Sequence, residues 1–159
     1  MRRLRLTPRI DLEVFFRAEP ALRHPSGGLP DEAAIAVLRA RLQHCPSIGF
    51  EMDGQAIGGL ILEGHEAFIA VLPNAHGHWA LLLKPALDWL FGLRAAVLAR
   101  VAVDNHSSIA LMERHGWRRL RADASTISYL MVPLSGTRKT AYRFREDAAA
   151  RRPPAASAG

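Results

Sequence analysis

The spacing of apolar positions along the chain switches between a strand-like period of two and a helix-like period of about 3.6 residues. Residues 3–6 alternate basic with apolar and predict a strand; Thr7-Pro8 breaks it, and Asp11 is placed to cap a helix over 12–18. Residues 20–30 hold Pro25, Ser26, Gly27 and Gly28 and read as a loop. Pro30-Asp31-Glu32 opens a second helix with Ala34, Ile35, Val37, Leu38 and Leu42 at helical spacing, ending near His44-Cys45-Pro46. From Ser47 the period becomes two. Residues 48–52 and 55–63 are joined by Asp53-Gly54, a dipeptide favoured in two-residue hairpin turns, and Gly64-His65 turns the chain into a third run over 66–72. Three antiparallel strands in succession are predicted.

Pro73-Asn74 ends the third of these, and residues 77–92 predict a helix with Trp79, Leu82, Leu83, Leu87, Leu90 and Phe91 on its apolar side. Pro85 lies inside it and predicts a kink or an interruption. Residues 95–103 read as a buried strand, Asp104-Asn105 leads into a helix over 107–115 that Gly116 ends, and 117–122 and 126–132 are two strands around a turn at Asp123-Ala124. After Pro133 the chain turns to Ser, Gly, Lys, Arg, Ala and Pro. One domain is therefore expected over 1–134, followed by a basic, Ala/Pro-rich tail over 135–159 that is disordered from Ala148 onward. No internal repeat is present.

A chain of 159 residues, 49% hydrophobic and 23% charged, has room for one core and no second domain. No apolar run reaches the ~18 residues of a membrane span, and no apolar segment follows Met1-Arg2-Arg3-Leu4-Arg5 to make a secretory signal. Cys45 is the only cysteine, which excludes an internal disulfide and a thiolate metal cluster and fits a cytoplasmic protein. His65, His76, His78 and His106 lack a matched carboxylate set, so no metal site is expected. The net charge of +6 favours acidic partners: a phosphorylated cofactor, nucleic acid or an acidic protein surface. Much of the excess sits at the ends, in Arg2, Arg3 and Arg5 and in Arg138, Lys139, Arg143, Arg145, Arg151 and Arg152, without interleaved aromatics; nucleic acid is only weakly suggested.

The chemistry concentrates where the third meander strand meets the following helix. A helix N-terminus presents free N–H groups and the positive end of the helix dipole, a natural seat for a pyrophosphate. There the chain supplies His76-Gly77-His78, a glycine that permits close backbone approach between two side chains able to donate to phosphate oxygens.

Val71-Leu72-Pro73 followed by His76-Gly77-His78-Trp79-Ala80 resembles the acetyl-CoA pyrophosphate segment of the GNAT superfamily of N-acetyltransferases. The run from Asn105-His106-Ser107-Ser108 to Gly116-Trp117 is similar to that family's Asn-x-x-Ala/Ser to Gly-aromatic motif. Leu4-Arg5-Leu6-Thr7-Pro8 with Asp11 resembles its opening strand and turn, and Gln55-Ala56-Ile57-Gly58-Gly59-Leu60 its third strand. The resemblance spans residues 4 to 132 and implies an α/β fold, a central, mostly antiparallel sheet of six or seven strands with helices on both faces. It further implies that Ala70, Val71 and Leu72 pair through their backbone with the pantetheine arm of acetyl-CoA, with an oxyanion contact near Val71. His76, Gly77, His78, Trp79 and Ala80 would hold the pyrophosphate, and Asn105 and Ser108 would line the later part of the cleft. The implied reaction is acetyl transfer from acetyl-CoA to a small-molecule or protein amine, with Glu66 or His65 on the fourth strand as candidate base. The acceptor site would be built from variable loops, here 20–30 and the segment around 123–126.

Four positions depart from the family pattern. His76 stands where Gln or Arg usually begins the phosphate loop, Trp79 and Leu81 replace small residues, and Met112 replaces the tyrosine that often protonates the departing thiolate. Trp79 and Trp89-Leu90-Phe91 also resemble GNAT-like proteins of tailed phages and prophages. That resemblance implies the alternative: a structural or assembly protein of GNAT fold without acetyltransferase activity, working as a homo-oligomer or in a phage particle and virion-associated.

Overall fold

The computed structural model describes residues 1–19 and 30–134; the expected tail, and the expected loop except for Pro30, lie outside them. The elements are β1 (Leu4–Thr7), α1 (Leu12–Ala18), α2 (Asp31–Leu42), β2 (Ser47–Met52), β3 (Gln55–Glu63), β4 (Glu66–Val71), α3 (Ala80–Leu93), β5 (Val97–Ala102), α4 (His106–Arg114), β6 (Arg118–Ala122) and β7 (Thr126–Met131). They build one mixed sheet in the order β1-β2-β3-β4-β5-β7-β6, in which β4 and β5 are the parallel pair.

Local chemistry sets the meander. Asp53 (φ 53°) and Gly54 (φ 84°) are both left-handed, as a two-residue hairpin turn between right-twisted strands demands. Phe50 pairs with Gly58 but Glu51 with Ala56, so Ile57 is an extra residue that bulges β3. Gly58 has a φ of 151°, and a Cβ there would lie 2.0 Å from the Ala70 carbonyl oxygen. Glycine lets β3 press against the end of β4.

Alternation along the strands divides the core. Ile48, Phe50, Leu60, Val97, Val101, Tyr129 and their neighbours pack under α3 and α4. On the other face Ile61 and Ala70, with Phe68 beside them, pack under Phe15 and Phe16 of α1 and Leu38 and Leu42 of α2. That second cover ends at β4. Among the described residues no helix covers the same face of β5, β7 and β6, where Leu98 is 38% exposed.

Beyond shifts of one or two residues at other element ends, three expectations are corrected. Pro73–Ala75 forms a 3-10 turn, and the Ala75 carbonyl accepts the amides of both His78 and Trp79, so α3 begins at Ala80 instead of residue 77. α3 continues through Pro85 without a break. The bond that proline cannot make falls on the carbonyl of Leu81, a residue 79% exposed. Trp117 belongs to the core instead of β6, and its Nε1–H donates to the Val132 carbonyl at 2.8 Å. No described helix is long and apolar enough to cross a membrane.

Candidate functional site

β4 and β5 pair at one position, Glu66 with Leu98, where the Leu98 amide donates to the His65 carbonyl at 2.7 Å. Beyond it β4 stays with β3 as far as Val71 and β5 stays with β7 as far as Ala102. Each strand keeps its outer neighbour and loses the inner one, so the sheet opens between their C-terminal ends. The two strands are parallel, so α3 and α4, which follow them, both start at this open end.

The edge of β4 that faces the opening follows from antiparallel alternation. Leu72 N–H donates to the Ile57 carbonyl at 2.8 Å, which turns the backbone of Leu72, and with it Ala70, toward β3. The expectation that Ala70, Val71 and Leu72 all face the opening is corrected: Ile69 and Val71 present their backbone groups there. The period-two reading of this strand already contained that pairing of 69 with 71. The Val71 carbonyl is met by His76 Nε2 at 2.8 Å; a carbonyl only accepts, so the ring carries its proton on Nε2.

The start of α3 is chemically unlike that of the other helices. Asp11 caps α1 by accepting the amides of Glu13 and Val14, α2 carries Asp31 and Glu32 in its first turn, and Asn105 caps α4 by accepting from Ser108 N–H at 3.1 Å. α3 has neither a side-chain cap nor an acidic residue in its first turn. Among the described residues, the amides of Gly77, Ala80 and Leu81 find no acceptor. Gly77 is exposed with open space around it, so the packing of the fold does not explain its missing side chain.

The indole of Trp79 does not block this loop. It stacks on Phe50 with ring centroids 5.9 Å apart and an interplanar angle of 14°, turned toward β2 and away from the opening. His76 and His78 are exposed beside Gly77. Met112, at the tyrosine position of the family pattern, is buried in the core and faces no cleft.

Glu66 and His65 lie at the closed end of the strand pair. Five residues of strand, roughly 17 Å, separate Glu66 from Val71. Both carboxylate oxygens of Glu66 are taken by Arg100, at 2.6 and 2.7 Å, and this hydrogen bonding raises the Arg100 pKa further. The structure thus brings Val71, His76, Gly77, His78, Trp79 and Ala80 to the open end, with Asn105 and Ser108 at the neighbouring helix start, and leaves Glu66 and His65 at the opposite end of β4.

The sequence matches no protein-family model and no curated protein. Solved structures do match. An acetyltransferase from Agrobacterium tumefaciens is 19% identical, with a TM-score of 0.59, over 82% of this chain and 91% of its own. A GNAT-family acetyltransferase from Bacillus anthracis is 14% identical, with a TM-score of 0.56, over 82% and 95%. The PaiA N-acetyltransferase from Thermoplasma acidophilum, solved in complex with coenzyme A, is 15% identical, with a TM-score of 0.54, over 82% and 99%. The chain has the fold of the GNAT acetyltransferases.

Proposed function

We propose that this protein is an acyl-CoA-dependent N-acetyltransferase acting on an amine. The observation that carries the reading is the start of α3: three amides without acceptors, no capping side chain and no acid, at the open end of the β4/β5 pair. Those amides fit a diphosphate, which supplies the acceptor oxygens and the negative charge that the helix dipole favours. The chain shares its fold with a protein crystallised with coenzyme A.

In this reading Gly77, Ala80 and Leu81 hold the pyrophosphate of acetyl-CoA through their N–H groups and His78 stands ready to donate to it, while His76, whose Nε2–H is taken by the Val71 carbonyl, fixes the loop against the end of β4. The backbone edge of Ile69 and Val71 aligns the pantetheine arm, with the Val71 amide placed to stabilise charge on the acyl oxygen. The amine nitrogen bonds to the acyl carbon, the carbon–sulfur bond breaks, and the proton lost by the amine ends on the departing thiol by way of solvent. Met112 supplies no acid, so catalysis rests on positioning and on the backbone contact. Glu66, tied to Arg100, positions β4 against β5 at the closed end.

Calorimetric titration of acetyl-CoA into the purified protein tests this. Micromolar binding, weakened by Asn105→Ala through fraying of the α4 start, is the expected outcome. Absence of binding to the wild type would overturn the reading and leave a GNAT-fold assembly protein in its place.

A further inference from the structure

Among the described residues, two histidine rings are fixed by a backbone carbonyl. His115 donates Nδ1–H to Leu111 at 2.8 Å and stacks on Trp117, at the end of α4 remote from the opening. His76 donates Nε2–H to Val71, also at 2.8 Å. Local chemistry puts this second ring where it is. Pro73, with its fixed φ, starts the 3-10 turn after β4, and the His76 amide closes that turn on the Pro73 carbonyl at 3.3 Å. The chain so folded carries the ring back over the end of the strand it has just left. The amide and the carbonyl of one strand residue leave on the same side, which for Val71 is the side of the opening. The His76 ring therefore stands in the opening, beside the Val71 amide. With the proton on Nε2, Nδ1 keeps its lone pair, and it makes no hydrogen bond among the described residues.

We infer that His76 is the general base of the transfer and takes the proton of the amine on Nδ1, an inference that rests on the acetyltransferase reading. Other bases are engaged elsewhere. Glu66 gives both oxygens to Arg100 at the closed end, and the Asp123 carboxylate accepts from the amides and hydroxyls of Ser125 and Thr126. Nδ1 of His76 lies at most about 5 Å from the Val71 carbonyl oxygen, one ring width beyond the bond to Nε2. An acyl oxygen held by the Val71 amide puts the attacked carbon next to the ring, so the amine nitrogen reaches Nδ1 directly or through one water. As the nitrogen–carbon bond forms, the amine proton passes to Nδ1, and the imidazolium keeps its Nε2–H on the Val71 carbonyl. The carbon–sulfur bond breaks with its electron pair on sulfur, and the ring gives the proton back through solvent to the thiolate. The Val71 carbonyl sets the tautomer and steadies the charged ring, the part that a carboxylate plays beside the histidine of a hydrolytic triad.

The test compares the wild type with His76→Gln, whose carboxamide N–H can still donate to Val71 but which takes up no proton. Thiol release from acetyl-CoA with hexylamine as acceptor and calorimetric acetyl-CoA binding are measured on both. His76→Gln is expected to lower kcat at least about 100-fold while acetyl-CoA affinity stays within about twofold, and added imidazole to restore part of the rate to His76→Ala. Nitrogen NMR of the His76 ring, with acetyl-CoA bound, gives a readout that needs no turnover: the expected tautomer carries its proton on Nε2. A wild type that does not bind acetyl-CoA overturns the acetyltransferase reading and this inference with it. Binding with equal rates in wild type and His76→Gln overturns the base alone, as does a rate that falls only in step with acetyl-CoA affinity, which assigns the ring to the cofactor. In a wild type that binds acetyl-CoA but leaves hexylamine untouched the tautomer decides, and a proton on Nδ1 overturns the base.

Discussion

α4 and α3 begin at the same end of the sheet, one strand apart, and their first turns are treated in opposite ways. At α4 the Asn105 carboxamide folds back to accept from Ser108, so the protein satisfies its own backbone. At α3 a tryptophan occupies the cap position with helical dihedrals and makes no side-chain cap, and among the described residues the amides of Gly77, Ala80 and Leu81 have no acceptor. A helix start closed by its own side chain contributes stability; one left open forgoes about 1 kcal/mol and gains a place for an anion. In the proposed reading, the α4 start is closed from within and the α3 start is left open for the pyrophosphate.

The largest effect that tests this contrast is at Phe50, which is fully buried and holds the Trp79 ring away from the opening. Phe50→Ala should cost about 3–5 kcal/mol of unfolding free energy by denaturant titration; a loss below about 1 kcal/mol would mean that the α3 start is not anchored as described. Asn105→Ala comes next, at about 1 kcal/mol, read as a fall of about 3–6 °C in Tm. A neutral result there would erase the difference between the two helix starts. Gly77→Asp should act with the opposite sign on stability, raising it by about 0.5 kcal/mol as a carboxylate settles over the free amides, while lowering acetyl-CoA affinity at least about tenfold. Stability and binding moving together would break the comparison.

The smallest effect concerns a third set of amides closed from within. The Asp123 carboxylate accepts the backbone N–H groups of Ser125 and Thr126 and both their hydroxyls, which lowers its pKa from the ordinary 3.8 to about 2. A folded-state pKa below the unfolded one stabilises above the unfolded value and fades as pH falls through the folded one. The Tm gap between wild type and Asp123→Asn should therefore be full near pH 6 and close progressively as the pH falls from about 4 to about 2.

Much of this was legible because it is written locally. Asp53-Gly54 fixes the hairpin, Asp11 and Asn105 announce the helices they cap, and Gly116, with a φ of 70°, ends α4 where only glycine does so without strain. The order of elements then follows. What escaped the sequence depends on partners distant along the chain. Nothing at Trp79 says that its ring turns toward Phe50, and nothing at Glu66 says that Arg100, 34 residues later, takes both its oxygens. The strand period says that residues 69 and 71 share one edge and 70 and 72 the other, yet which edge faces the opening is decided by the Leu72 bond across to β3. The bare face of β5, β7 and β6 escaped for the same reason. Residues 95–103, Leu98 among them, read as a buried strand until one sees that the helix cover stops at β4.

Among the described residues β6 is one border of the sheet, and of its five residues Arg118, Arg119 and Arg121 are arginine. An unpaired strand edge is a template on which another chain can continue the ladder. Two such borders brought side by side would stack guanidinium on guanidinium at strand spacing, a repulsion that water screens but does not remove. Growth of the sheet from molecule to molecule is thus opposed at β6 by charge.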